Sequence, residues 1–508
     1  MKLIKKVNFI RPVFYVITFL IFYCLFTYKL LTVPPGINFD ESSIGYNAVL
    51  ISKNLRDQNN NLLPVFILTL DGKDYKQPVN IYTAALIFKV LGISYFNLKL
   101  MSVLFALISG FVFFKILRLF FSELVSYIGL LLYFTSPSIM IQSHLILENI
   151  AILPFFMVWL YCLLSYSIRP KSWKLLVSGI FLGIDFYAYK GARALVPVYF
   201  ALTVCYLFYI NFYTINFKKK FHKIKYIILE ISIFLLGSLP FLLPANYLNK
   251  VYTGAVFDKV GFSIPSFYES ANIFFSNMDF SFLFIKGDSM LVHSTQRHGV
   301  FLAPTFFLFF LGLFKIAREK KHQYYFILLT LLLTPILFIG IGSHGRASRL
   351  MTYIPLFTFI FCLGISNILE IKHKIFKIII IVIFGSSLLY TYYDFVSFYW
   401  VPYPKRISGE FSPNFNGSLK SLRQWADKTN KSAYIEYGDF LSHKGDIQLF
   451  WQIYFPDESM KFWERDVDSF PSDGIVLSGI GKTKETEILE EIPSIESGQR
   501  TFYIIGKR

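Results

Sequence analysis

The sequence predicts an all-α polytopic membrane protein with about eleven transmembrane helices and a small C-terminal extracytoplasmic domain of α/β or α+β type. Hydrophobic residues make up 55% of the chain and charged residues 16%, whereas soluble domains carry about 25% charged residues. The apolar residues, above all 58 Phe and 33 Tyr, fall in runs long enough to cross about 30 Å of hydrocarbon. These runs stop near Trp400, where the composition becomes polar.

The predicted spans follow these apolar runs along the chain. They are 12–31, 98–119, 124–142, 149–167, 174–189, 193–212, 226–245, 300–317, 323–341, 350–369 and 375–393. Residues 1–395 are therefore the predicted transmembrane module, with long outer loops at 32–97 and 246–299. Residues 396–508 are the predicted soluble domain. In the first loop, the amphipathic stretch from Ile81 to Leu91 is too short to span and is predicted to lie in the membrane interface.

Basic residues indicate the orientation of these spans. Lys and Arg exceed Asp and Glu by 50 to 32, a formal net charge of +18. The excess lies in short segments between alternate apolar runs, as the positive-inside rule requires, so nucleic acid is not an expected partner. The clustered residues are Lys2, Lys5, Lys6, Lys115, Arg118, Arg169, Lys171, Lys174, Lys218, Lys219, Lys220, Lys223, Lys225, Lys315, Arg318, Lys320, Lys321, Lys372, Lys374 and Lys377. The expected location is a bacterial plasma membrane, with a cytoplasmic N-terminus and an extracytoplasmic C-terminal domain.

The polar C-terminal region shows both helical and strand-like patterns. Residues 417–429 place Leu419, Leu422 and Trp425 at helical spacing. The segments 432–440, 447–455, 474–480 and 501–506 favour short strands.

The first candidate for chemistry is the pair Asp40–Glu41, which follows Pro34–Pro35–Gly36 shortly after the first span. A carboxylate near the membrane surface can be partly desolvated and can serve as a general base toward an acceptor hydroxyl or amine. The alternative is a solvated helix N-terminus, in which Asp40 caps the helix and Glu41 complements its dipole.

A second acid, Glu148, lies in the outer turn between the third and fourth predicted spans, close to His144. An ionisable residue at the membrane edge is a functional candidate, although Glu148 could equally be a charge favoured at a helix start. Asp288 and His293 in the second long outer loop are further candidates on this face.

Several cations are predicted on the same outer face. They are Lys76, Lys190, Arg193, Arg297, Arg346 and Arg349. Converging Lys and Arg side chains suit a phosphate group, because guanidinium and ammonium groups both pair with phosphate oxygens. The alternative for any one of them is contact with lipid head groups, which long basic side chains reach by snorkelling.

Nucleotide and redox cofactors are not indicated. Residues Gly340 to Gly345 fit G-x-G-x-x-G, but they end a predicted membrane helix and no dinucleotide-binding βαβ unit surrounds them. The four cysteines are widely separated within apolar runs and form no metal-binding pattern. The sequence requires no cofactor, and a divalent metal bridging Asp40 or Glu148 to a phosphate is compatible with it.

With these residues in view, the sequence resembles GT-C membrane glycosyltransferases, the group of protein O-mannosyltransferases and the aminoarabinose transferases of lipid A. The similarity lies in Asp40–Glu41 in its Pro-Pro-Gly context, in Lys76–Gln77–Pro78 and in Glu148–Asn149. It also covers Phe282 to Asp288 with His293 and Ser294, and Arg349 to Pro355. The resemblance implies transfer of one sugar from a polyprenyl-phosphate donor to a lipid, glycan or protein acceptor at the extracytoplasmic face.

The same resemblance implies roles for individual residues. Asp40 would be the catalytic acid/base, with Glu41 and Glu148 assisting acceptor or metal binding. The lipid phosphate would be held by Lys76, Arg193 and Arg349.

Two other functions remain open at this point. A flippase or other transporter of lipid-linked sugars would place ionisable residues near the bilayer midplane, whereas the predicted spans are nearly free of carboxylates, with Asp185 in the fifth span as an exception. A polymerase or ligase for surface glycans would share the large outer loops and would differ in using an oligosaccharide donor.

Overall fold

The structure is a computed structural model that describes residues 2–69, 72–214, 220–257, 265–465, 467–481, 485–495 and 500–507. Side chains are described within these ranges except at 2–14, 214 and 220–222. Of the predicted basic clusters, Lys218 and Lys219 lie outside the described residues. The side chains of Lys2, Lys5, Lys6 and Lys220 are likewise not described.

Most of the described chain is helical, as predicted. The helices are α1 (Lys2–Thr27), α2 (Phe39–Asn54), α3 (Pro78–Leu91), α4 (Tyr95–Phe120), α5 (Glu123–Phe134), α6 (Pro137–Ser143), α7 (Ile152–Ile168), α8 (Trp173–Asp185), α9 (Ala192–Thr214), α10 (Lys220–Leu242), α11 (Ala245–Val251), α12 (Phe267–Ser276), α13 (Thr305–Glu319), α14 (His322–Leu333), α15 (Tyr353–Leu369), α16 (Lys374–Trp400), α17 (Pro402–Ile407), α18 (Phe415–Thr429), α19 (Tyr437–Ser442) and α20 (Lys444–Tyr454). The strands are β1 (Ile67–Thr69), β2 (Asp74–Lys76), β3 (Ser432–Glu436), β4 (Phe462–Trp463), β5 (Gly474–Ser478), β6 (Thr486–Ile492) and β7 (Phe502–Lys507).

Each predicted span coincides with a helix or with a helix broken near its end, but not every one is long enough to cross a bilayer alone. Within the described residues, five helices are sufficiently long and apolar: Tyr95–Phe120, Glu148–Ile168, Ala192–Tyr213, Lys223–Val251 and Lys374–Trp400. The pair α5 and α6, bent by 57°, makes a sixth if it is one span. Shorter apolar helices occupy Tyr15–Thr27, Pro78–Leu91, His322–Phe338 and Tyr353–Leu369. The count of about eleven crossings stays a prediction.

The chain divides into two compact units. The first contains Met1–Phe26, Ser102–Ser143 and Glu148–Val396, and the second contains Thr27–Met101, His144–Leu147 and Ser397–Arg508. The predicted soluble domain, 396–508, apart from its first residue, therefore shares a compact unit with the whole predicted first loop, 32–97, and with the short segment His144–Leu147. Whether the second unit lies outside the membrane stays a prediction.

In the first unit, glycines allow close packing between helices. A Cβ added at Gly179 of α8 would overlap the backbone of α10, and one added at Gly364 of α15 would overlap the carbonyl oxygen of Leu308 in α13. Small residues of this kind bring helix backbones together in membranes, where apolar side chains gain little by leaving lipid. Close backbone contacts at these glycines therefore help to position the helices of this unit.

In the second unit, the C-terminal residues form a mixed sheet of five strands in the order β4-β3-β5-β7-β6. Strand β3 is parallel to β4 and β5, and β7 is antiparallel to β5 and β6. Helix α18 and strands β3, β5 and β7 lie close to the positions predicted for them. The strand predicted at 447–455 is wrong, because these residues belong to α20, and the strand predicted at 432–440 ends at Glu436, where α19 takes over.

Helix α20 forms where a strand was predicted, because its apolar residues pack against another helix, α2. Its fully buried Leu449 packs on α2, where a Cβ at Gly45 would overlap the Leu449 side chain. The backbone of Ser412 donates a 2.8 Å hydrogen bond to the carbonyl of Ile37, just before α2. The C-terminal residues thus support the start of α2 within one unit.

Replacement of Gly364 by alanine is expected to lower the free energy of unfolding by about 1–3 kcal/mol, because α13 and α15 must move apart or strain to admit the methyl group. The matched control is Gly385→Ala in α16, where an added Cβ meets nothing within 4 Å. Thermal unfolding of the purified protein in detergent measures both variants. Equal stabilities would contradict the close contact between α13 and α15.

Candidate active site

Asp40 lies in the first turn of α2, and Asn38 is the N-cap of this helix. The side chain of Asn38 accepts a hydrogen bond from the backbone N–H of Glu41 at 2.9 Å, and the Glu41 carboxylate accepts one from the Asn38 N–H at 2.9 Å. This is a capping box, which satisfies two N–H groups at the helix start. The alternative in which Asp40 itself caps the helix is therefore wrong, and the Asp40 carboxylate is left for other contacts.

The Asp40 carboxylate contacts the ammonium group of Lys76. Lys76 Nζ lies 2.5 Å from Asp40 Oδ1 and 2.9 Å from Asp74 Oδ2. The Lys76 side chain is only 7% exposed, whereas that of Asp40 is 52% exposed. Lys76 is therefore a buried cation shared by two carboxylates, one of which faces solvent.

Strand pairing explains how Lys76 and Asp74 reach the same place. Strand β2 pairs with β1 in an antiparallel hairpin, with Thr69 opposite Asp74 and Ile67 opposite Lys76. Side chains two residues apart on a strand point to the same face. The hairpin therefore presents Asp74 and Lys76 together toward the start of α2.

The neighbouring carboxylate, Glu41, is fully buried. Besides its contact with Asn38, it accepts a 2.6 Å hydrogen bond from the backbone N–H of Ile146. Burial raises the pKa of the Glu41 carboxyl, while the positive charge of Lys99 and the two backbone N–H groups oppose that rise. Each Glu41 carboxylate oxygen thus accepts a hydrogen bond from a backbone N–H group: one lies at the start of α2, and the other lies in the segment 144–147.

The fully buried Lys99 of α4 supports the same segment. Its ammonium group donates a 3.3 Å hydrogen bond to the carbonyl of His144. The His144 ring, also fully buried, places Nδ1 3.0 Å from the carbonyl oxygen of Val33 and 3.0 Å from the hydroxyl of Tyr399. His144 is thus enclosed in the second unit, in contact with backbone and with Tyr399.

The other predicted residues lie in the first unit. Glu148 begins a 3-10 turn, Glu148–Ile150, and is half-buried. The half-buried Tyr189 interacts electrostatically with both Arg349 and Glu148. Lys190 follows Tyr189 in the turn before α9. The structure therefore places Glu148 and Arg349 around Tyr189, while their predicted catalytic and phosphate-binding roles stay predictions.

Two predicted phosphate ligands bind protein groups in the first unit. Arg193 donates through Nη1 to the carbonyl oxygens of Ala255 and Val256, the latter at 3.0 Å. Arg297 pairs with Asp394 at 2.8 Å. These contacts hold the loop 246–299 and α16, and phosphate binding by these residues stays a prediction.

Asp288 and His293 line a small cavity in the first unit, together with His298. Asp288 is buried and accepts a 2.7 Å hydrogen bond from the backbone of Ala347, with Arg346 at 3.4 Å. His293 Nδ1 lies 3.0 Å from the amide nitrogen of Gln142. The contact between Asp288 and Ala347 joins the loop 246–299 to the segment before α15.

No metal cluster accompanies these groups in the part of the chain that the structure describes. No three or more His, Cys, Asp or Glu side chains there are arranged to hold a metal ion. The metal bridge from Asp40 or Glu148 to a phosphate stays a prediction.

Asp74 and Lys99 were not predicted from the sequence as residues of the candidate site. The alternation Asp74-x-Lys76 at the end of a polar turn was a usable signal for two side chains on one face. Asn38-x-x-Glu41 was likewise a usable signal for a capping box. Lys99 carried no such signal, because a lysine near the start of an apolar run is usually interpreted as a snorkelling residue.

Single replacement of either Glu41 or Lys99 is expected to destabilise the protein by about 3 kcal/mol, because each leaves the other as a buried charge without compensation. The double variant Glu41→Gln/Lys99→Met should lose less than the sum of the two single variants. Thermal unfolding in detergent completes this double-mutant cycle. Strictly additive losses would show that the two charges do not interact.

Comparison with known proteins gives matches at the level of family and fold. The family model for dolichyl-phosphate-mannose-protein mannosyltransferases matches residues 75–240. A search of curated proteins finds no match.

Two solved structures of ArnT from Cupriavidus metallidurans share the fold. The structure bound to undecaprenyl phosphate is 9% identical, with a TM-score of 0.54, and the apo structure is 10% identical, with a TM-score of 0.57. Each alignment covers 97% of this chain and 98% of the ArnT chain.

These comparisons agree with the apolar helices described above, and the chain is an integral multi-pass membrane protein. The resemblance to GT-C membrane glycosyltransferases of the O-mannosyltransferase and aminoarabinose transferase group is thus confirmed, by the family model over residues 75–240 and by the ArnT fold over nearly the whole chain.

Proposed function

We propose that the protein is a glycosyltransferase that moves a single sugar from a polyprenyl-phosphate donor to an acceptor at the extracytoplasmic face of the membrane, with Asp40 as the general base. The observation that carries this proposal is the contact between Asp40 and Lys76. It joins a solvent-accessible carboxylate to a buried ammonium group. Transfer from a phosphate-linked sugar needs such a pair, a base for the acceptor and a cation for the leaving phosphate.

The proposed reaction is a displacement at the anomeric carbon of the donor sugar. The Asp40 carboxylate accepts the proton of an acceptor hydroxyl or amine while the acceptor atom forms a bond to the anomeric carbon. The bond between that carbon and the phosphate oxygen breaks, and its electron pair leaves with the polyprenyl phosphate. Lys76 stabilises the negative charge that develops on the phosphate. A direct displacement inverts the anomeric centre, and protonated Asp40 returns its proton to solvent.

The remaining residues fall into two groups in this proposal. Glu41 and Lys99 hold α2 and the segment 144–147, and so fix the position of Asp40 without touching substrate. Arg346 and Arg349 are half-buried residues of the first unit, where Arg346 already pairs with Asp288 at 3.4 Å, and phosphate binding by these two residues stays a prediction.

The comparisons support this proposal through the chemistry of the related proteins. Dolichyl-phosphate-mannose, which the matching family model names, is a polyprenyl-phosphate sugar. The similar ArnT structure was determined with undecaprenyl phosphate bound. A polyprenyl donor has its tail in lipid and its phosphate at the surface, and an integral membrane protein suits that arrangement.

Asp40→Asn is expected to lower sugar transfer by about 10²–10⁴-fold, because the amide cannot accept the acceptor's proton. The assay uses purified full-length protein in lipid with a panel of polyprenyl-phosphate sugars. Glu410→Gln, which removes an exposed carboxylate elsewhere in the second unit, is the matched control and should keep wild-type activity. Full activity in a correctly folded Asp40→Asn protein would overturn the role of Asp40.

Lys76→Met is expected to lower kcat/KM for the donor by about 10²-fold or more, because the leaving phosphate loses its buried cation. Lys89→Met, which alters an exposed lysine in α3, is the control for the loss of one positive charge. Steady-state kinetics with donor concentration varied measure both variants. Equal kcat/KM values would contradict phosphate stabilisation by Lys76.

The competing functions predict different products in the same system. A transporter would move the lipid-linked sugar across liposomes without transferring it. A polymerase or ligase would use an oligosaccharide donor in place of a single sugar. Translocation without transfer would overturn the proposed function.

A further inference from the structure

Asp74 is a second carboxylate on Lys76 that the reaction above does not use. Its Oδ2 atom lies 2.9 Å from Lys76 Nζ, close to the 2.5 Å of the Asp40 contact. The Asp74 side chain is 30% exposed, and the Asp40 side chain is 52% exposed. Of the two anions on the ammonium, Asp74 is therefore the more enclosed.

The geometry of the hairpin holds Asp74 in place independently of its carboxylate. The backbone carbonyl of Asp74 accepts a 3.3 Å hydrogen bond from the hydroxyl of Thr69, and Thr69 and Asp74 face each other in the β1–β2 pair. Replacement of the carboxylate by an amide keeps these backbone contacts. The effect of the charge can therefore be tested without loss of the hairpin.

A buried ammonium group needs a counter-charge throughout the reaction, because an unpaired buried charge is costly. As a base, Asp40 must turn toward the acceptor and becomes neutral when it takes the proton. If Asp40 were the only carboxylate on Lys76, this step would be opposed by the loss of the ion pair. Asp74 removes that opposition, because it retains its own contact with the ammonium.

Arrival of the donor strengthens the same effect. The phosphate brings a further anion to Lys76, so that it and two carboxylates then compete for one ammonium group. Mutual repulsion among them acts most readily on Asp40, the more exposed carboxylate. Donor binding would thus release Asp40 toward the acceptor more readily while Asp74 remains on the lysine.

We propose that Asp74 is a positioning residue that anchors Lys76 and thereby frees Asp40 to act as the base when the donor phosphate binds. The proposal rests on the proposed function, because it concerns the base and the phosphate cation of that reaction. Asp74 does not touch the substrate in this role.

Asp74→Asn separates this role from a structural one. With the second anion gone, Asp40 stays on Lys76, so kcat is expected to fall by about 10-fold while the donor KM does not rise. Asp74→Glu restores the negative charge and should recover kcat to within about 3-fold of the wild type. The measurement is steady-state transfer by full-length protein in lipid, with Glu410→Gln as the control and thermal unfolding recorded for each variant.

The outcomes distinguish this proposal from the function on which it rests. A lowered kcat in Asp74→Asn, unchanged donor KM and recovery in Asp74→Glu support the role of Asp74. An active wild type with unchanged kcat in Asp74→Asn, a raised donor KM, or no recovery in Asp74→Glu overturns that role alone. A wild type that transfers no sugar from any donor overturns the proposed function and the role of Asp74 with it.

Discussion

The candidate site depends on the burial of one carboxylate, that of Glu41. Because Glu41 is closed to solvent, its oxygens must be satisfied by protein groups, and they bind the backbone N–H groups of Asn38 and Ile146. The first contact defines where α2 begins, and the second fixes the segment 144–147. The position of Asp40, one residue before Glu41, follows from these two contacts. Glu41, whose predicted catalytic role stays a prediction, thus helps to place its neighbour Asp40.

The different roles proposed for the adjacent acids Asp40 and Glu41 have a simple physical origin. In the first turn of a helix, successive side chains point in different directions, about 100° apart. Glu41 therefore points into the protein while Asp40 points outward to Lys76. A buried group with two backbone partners is suited to holding structure, and a half-exposed group on a lysine is suited to proton transfer. In the proposed reaction, the pair therefore combines a structural carboxylate, Glu41, with a chemical one, Asp40.

The C-terminal residues are part of the same arrangement and not an independent appendage. Helix α20 packs on α2 through Leu449, at the point where Gly45 leaves room for it. Ser412 bonds to the backbone of Ile37 immediately before the cap of α2. Residues from the end of the chain therefore complete the packing around the candidate base within the second unit.

The sequence by itself determined the features that depend on local patterns. Apolar runs located the helices, the polar C-terminal residues located the sheet region, and the pair Asp40–Glu41 marked the candidate site. Short patterns were weaker: the segment 447–455 suggested a strand, yet it lies largely in α20, because a short apolar run fits either a strand or a buried helix.

Only the tertiary structure decided which charged and polar groups contact each other. Glu41 and Ile146 are 105 residues apart, and Lys76 and Asp40 are 36 residues apart. The sequence could not pair them, since periodicity reports which face a residue occupies and not what lies against that face. The distinction between a buried acid and an exposed one, and hence between holding and reacting, arises from packing between distant segments.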